Sequence, residues 1–102
     1  MTSIKKLYLV TYDLNSPGQN YSKVIDAIKI AGDGGYVSVC KSSFLICSSL
    51  QTAQEVFRKL TYGLDINDDI FITEIKQNFY YYLPEKEQLC NTIDSLLRSA
   101  YL

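Results

Sequence analysis

The sequence predicts an α+β domain with the element order β-α-β-β-α-β, followed by one further helix at its C-terminal side. Three observations predict it. Four short runs are rich in β-branched, aromatic and aliphatic residues, the composition of strands. Apolar residues recur with helical spacing in three other places. Clusters of Gly, Asn, Asp and Ser punctuate most of the joins between these segments.

The first strand is read at Lys6 to Leu14 (KLYLVTYDL). Both of its alternating sets are largely apolar: Leu7, Leu9 and Thr11 on one side, Tyr8, Val10, Tyr12 and Leu14 on the other. A strand of that kind needs cover on both faces. Asn15 to Asn20 is dense in turn formers, and Asn20 suits the N-cap of a first helix at about Tyr21 to Ala31. Tyr21, Val24, Ile25, Ile28 and Ala31 form its apolar stripe, and Gly32, Gly34 and Gly35 end it.

Tyr36–Lys41 and Phe44–Cys47 are the next two strand-like runs, joined at Lys41-Ser42-Ser43. Ser48 with Gln51, and Thr52 with Glu55, both have capping-box spacing. The second helix then places Ala53, Val56, Phe57 and Leu60 on one stripe and stops at Gly63. After the polar loop Asp65 to Asp69, Ile70–Ile75 is the fourth strand. Gln77 to Leu83 (QNFYYYL) extends that strand or lies over the sheet. Pro84 suits the first position of a third helix carrying Leu89, Ile93, Leu96, Leu97 and Ala100. This order is that of a ferredoxin-like βαββαβ sandwich. Residues 1–83 form the domain, and residues 84–102 are a C-terminal helix packed on it. Such a sandwich carries both main helices on one sheet face. A homodimer partner, or the C-terminal helix and tyrosine run of the same chain, would cover the other.

At 102 residues the chain fits one domain. No stretch approaches the roughly 20 apolar residues of a membrane span, and Met1 to Lys6 carries no apolar signal region. The expectation is a cytoplasmic protein with no membrane role. Cys40, Cys47 and Cys90 are odd in number and lack C-x-x-C spacing, so free, buried, hydrophobe-like thiols are expected. The chain has no histidine, which excludes Ser-His, Cys-His and His-metal mechanisms built within it. Ten Lys and Arg against eleven Asp and Glu give no general basic footprint for nucleic acid.

Asp13 is the first candidate for chemistry. It lies where the first strand opens into a loop, so a rigid element would place an exposed carboxylate. Two such carboxylates across a two-fold axis could share Mg²⁺ or Mn²⁺, hard cations that take oxygen ligands. The competing reading is an Asx-type residue bonded to backbone amides of the following turn. Asp65, Asp68 and Asp69 lack EF-hand spacing and read as a solvated turn. Asp33-Gly34-Gly35 follows a helix instead of opening one, and reads as a turn, not a phosphate cradle. Tyr80, Tyr81 and Tyr82 could stack on bases or anchor a core or interface.

Tyr12-Asp13-Leu14 followed by Pro17-Gly18-Gln19-Asn20-Tyr21 resembles the opening of small bacterial and phage proteins described as SinR-like. These are similar to the small CRISPR-associated endoribonuclease and to VapD toxins. Asn67 to Ile72 resembles the family's approach to its last strand. The resemblance implies a ferredoxin-like homodimer, and in the nuclease branch a metal-ligating aspartate that Asp13 matches. The branch's arginine-rich loop has no counterpart here, because Asn15 to Asn20 carries no basic residue.

Two functions are therefore expected in competition. One is a metal-dependent nuclease acting on RNA or DNA, with Asp13 as catalytic and metal residue. The other is a non-catalytic dimeric module that binds a protein partner, antitoxin-like, immunity-like or an adaptor. Ser38, Lys41, Ser42, Tyr80, Tyr81 and Tyr82 are the expected contacts to nucleic acid or partner.

Overall fold

The computed structural model describes residues 4–13, 21–64, 68–76 and 78–101. In chain order the elements are β1 (Lys6–Asp13), α1 (Tyr21–Ala31), β2 (Gly35–Cys40), β3 (Ser43–Ser48), α2 (Ala53–Leu60), a 3-10 turn (Thr61–Gly63), β4 (Asp69–Ile75) and α3 (Glu87–Tyr101). The turn expected at Asn15 to Asn20, its Asn20 cap and Asp65 to Asn67 lie outside the described residues. The four strands form one antiparallel sheet in the order β2-β3-β1-β4. No helix among the described residues is long and apolar enough to cross a membrane.

Helices lie on both faces of the sheet. Tyr8, Val10 and Tyr12 of β1 join Phe44 and Ile46 of β3, and pack with Val24, Ala27 and Ile28 of α1 and Val56 and Leu60 of α2. On the opposite face Leu7, Leu45 and Cys47 pack with Ile93 and Leu96 of α3, and Tyr81 and Leu83 join them. Each large apolar side chain fully buried in these cores contributes on the order of 1.5–3 kcal/mol as an upper figure. The second cover that β1 demands thus comes in good part from α3 and the tyrosine segment of the same chain. It is incomplete: Leu9 and Thr11 stay half-buried, and Phe71 on β4 is 66% exposed.

Local chemistry explains where the elements stop. The Gly32 amide donates to the Ile28 carbonyl and closes α1. Gly35 then takes φ +130°, open to glycine and strained for other residues. A Cβ there would come within 2.5 Å of Leu96 Cδ2, so the missing side chain also lets α3 approach. Thr52 caps α2: its hydroxyl accepts from the Glu55 amide at 3.1 Å. Ser48 does not pair with Gln51 in a second box; its buried hydroxyl accepts from the Leu50 amide instead.

The third helix begins later than the position of Pro84 predicts. Pro84 and Glu85 form a turn, and Glu85 sits at φ +61°, in the left-handed region that a right-handed helix excludes. Helical bonding starts beyond it, where the Cys90 amide donates to the Lys86 carbonyl. The expectation of buried cysteines holds for Cys47 and fails for Cys40. Cys40 is exposed at the end of edge strand β2, where a register shift between Ser38 and Cys40 turns the strand.

Candidate functional site

β1, β2, β3 and β4 bring four chain segments to one end of the sheet. Asp13 ends β1 there, exposed. The antiparallel ladder places Asp69, the exposed first residue of β4, directly opposite it. Paired residues of a ladder share a face, so two carboxylates stand side by side. The β2–β3 turn reaches the same end. Ser42 takes φ +59° in that turn, and its carbonyl accepts from the Tyr12 amide at 3.1 Å. Lys41, exposed beside Ser42, is the cation nearest in sequence to this end. One residue inward, the Ser43 hydroxyl donates to Thr11 Oγ1 at 3.1 Å and ties β3 to β1.

The tyrosine segment lies on the same sheet face as Asp13, further along β1. Leu9, Thr11 and Asp13 alternate onto that face, and Leu9 is about 13 Å from Asp13 along the strand. Beside Leu9 and Leu45 the segment Phe79 to Leu83 and Ile93 of α3 border a half-open cavity of about 380 Å³. Tyr81 packs inward, and its hydroxyl faces the Asp94 carboxylate at 3.4 Å. Desolvation and the nearby Asp94 push the Tyr81 phenol above its ordinary pKa. Tyr80 and Tyr82 also line the cavity while staying 89% and 76% exposed.

The expected site residues therefore fall into two groups. Asp13, Lys41 and Ser42 share one sheet end, and Tyr80, Tyr81 and Tyr82 line the cavity beside it. Ser38 belongs to neither. It pairs with Phe44, whose side chain enters the α1–α2 core, so it lies on the opposite face from Asp13. Sequence reasoning missed Asp69, read as a solvated turn residue. The available signal was topological: antiparallel pairing of the first and last strands brings their two aspartate-bearing ends together. It also missed Cys40 and Ser43 as cavity residues.

At the other end of the sheet a polar network has a structural role. Asp33, in the turn after α1, accepts from the Ser49 amide at 2.8 Å and from the Ser49 hydroxyl. Lys5 lies 3.9 Å away. Burial alone would raise the Asp33 pKa, but the Ser49 hydrogen bonds and Lys5 outweigh it and hold the carboxyl below its ordinary value. This agrees with Asp33-Gly34-Gly35 being a turn.

Hard divalent ions such as Mg²⁺ and Mn²⁺ favour oxygen donors, and Asp13 and Asp69 supply carboxylates on one face. Among the described residues no group of three or more His, Cys, Asp or Glu converges. Two carboxylates suit Mg²⁺, which keeps several of its waters. No protein-family model matches the chain, and no curated protein is significantly similar to it in sequence.

Proposed function

We propose that the chain is a ferredoxin-like relative of the small CRISPR-associated endoribonuclease and VapD-type proteins, and that it hydrolyses RNA or DNA phosphodiesters as a cytoplasmic homodimer. The observation that carries this reading is the pairing of Asp13 with Asp69 at the exposed end of two rigid strands. The strand order β4-β1-β3-β2, with α1 and α2 packed on one face, supports the fold assignment. Asp13, with Asp69 beside it, would hold Mg²⁺ or Mn²⁺. When bound, such an ion stabilises the charge that develops on a phosphodiester during cleavage. Lys41 at the same sheet end offers a phosphate contact. A two-fold partner would bring a second Asp13 to the ion.

The test is a nuclease assay on purified protein with single- and double-stranded RNA and DNA, in Mg²⁺, Mn²⁺ or EDTA. Metal-dependent cutting that Asp13→Ala abolishes is the expected result. Cutting that survives both EDTA and Asp13→Ala overturns the assignment of Asp13, and no cutting by a folded protein overturns the nuclease reading.

A second reading rests on Tyr80 and Tyr82, whose rings are exposed on one segment. Exposed tyrosines are frequent anchors of protein interfaces. In this reading the chain is a non-catalytic dimeric module for a protein partner. It predicts that a partner co-purifies from the native host, and that Tyr80→Ala with Tyr82→Ala loses it while Asp13→Ala does not.

A further inference from the structure

The cavity under the tyrosine segment has a chemistry of its own. Its floor is Leu9, Val39 and Leu45, and Ile93 of α3 closes one wall. None of the described residues lining it carries a charge. Among the described lining residues only Cys40, Ser43 and the three tyrosines carry a polar side-chain atom, and the Tyr81 hydroxyl is turned to Asp94. The Ser43 hydroxyl is already hydrogen-bonded to Thr11 Oγ1 at 3.1 Å. A charged guest would lose part of its hydration here and meet no charged side chain among these lining residues. A neutral apolar guest would gain contact with the aliphatic and aromatic residues of the lining.

Size narrows the guest further. An apolar cavity of about 150 Å³ holds a benzene ring, and this one measures about 380 Å³. Two or three rings fit that volume. Tyr80 and Tyr82 belong to its lining and stay largely open to solvent, so their rings are free to meet a guest at its mouth. We propose that this cavity is a binding site for a small, uncharged aromatic molecule of two to three rings. The inference is independent of the nuclease reading, since Asp13 does not line the cavity.

N-phenyl-1-naphthylamine, a neutral fluorescent aromatic, is a suitable probe. Titrated into the protein, it should brighten and saturate at one molecule per chain. In a Cys90→Ser background it should slow maleimide labelling of exposed Cys40, with buried Cys47 as the internal control. Val39→Phe fills the floor and should weaken binding by about tenfold or more. Tyr82→Ala removes a ring that is mostly solvent-exposed, and serves as the second variant if circular dichroism shows Val39→Phe misfolded. It should weaken binding several-fold. Non-saturating fluorescence, unprotected Cys40, or unchanged affinity in a folded cavity variant would overturn the proposal.

Discussion

Asp13 and Asp69 face each other across the β1–β4 ladder, two exposed carboxylates on neighbouring strand ends. Like charges directly opposite in a sheet destabilise it by roughly 0.2–1 kcal/mol relative to neutral pairs. In EDTA, Asp13→Asn should therefore raise stability by up to about that amount. With Mg²⁺ added, binding to the native state should raise the melting temperature of the native protein and leave Asp13→Asn unmoved. Equal responses of the two proteins in a thermal melt would show that the ion does not bind at Asp13.

Tyr8 is fully buried, and its hydroxyl donates to the Leu50 carbonyl at 2.7 Å. Tyr8→Phe leaves that carbonyl without its donor and should cost about 1–2 kcal/mol in urea unfolding. Desolvation, with Glu74 and Glu55 nearby, pushes the Tyr8 phenol up to about 12. Its ordinary value is about 10. The folded state therefore favours the protonated phenol. That contribution is complete below the ordinary value and is lost as pH rises through the folded one. Between those limits Tyr8→Phe should lose stability less steeply than the native protein.

Gly35 and Leu96 define how closely α3 approaches the sheet. Gly35→Ala imposes both a φ of +130° on a residue with a side chain and a clash with Leu96 Cδ2. A cost of roughly 1–3 kcal/mol is expected from strain and overpacking. In a Leu96→Ala background the clash disappears and the added cost should shrink to that of the backbone. A double-mutant cycle by chemical denaturation measures this difference. Strict additivity would show that the two positions do not touch.

Asp33 gives an acid-side prediction. Its folded pKa is lowered, chiefly by Ser49 working against burial. Its contribution to stability is present above the ordinary carboxylate value of about 3.9, and disappears as pH falls through the lowered folded value. Asp33→Asn should flatten that part of the pH–stability curve. The effect should stay below about 1 kcal/mol, because the ion pair with Lys5 is substantially exposed. An unchanged acid limb in Asp33→Asn would assign the pH dependence to other carboxylates.

Much of the chain's local structure was legible because it rests on nearest-neighbour chemistry. The helical stripe of Val24, Ile28 and Ala31, the Thr52 cap and the double-sided apolarity of β1 are written in spacing and residue type, and the structure follows them. Pro84 misled because the backbone of the next residue, Glu85, is left-handed, a choice that depends on the turn's surroundings. Cys40 misled because a register shift on an edge strand re-aims a side chain without a mark in composition.

The sequence by itself determined the element order, most of the buried apolar residues (Tyr21 and Phe57 of the helical stripes stay exposed), and the placing of one aspartate at the end of the first strand. Those follow from backbone propensity and hydrophobic periodicity, which act over a few residues. The tertiary structure alone decided that α3 and Tyr81 cover the second sheet face, that Asp69 stands beside Asp13, and that Cys40, Ser43 and the tyrosines share one cavity. Each of these joins segments tens of residues apart. Strand order and register set such meetings, and they are fixed by the packing of the whole domain.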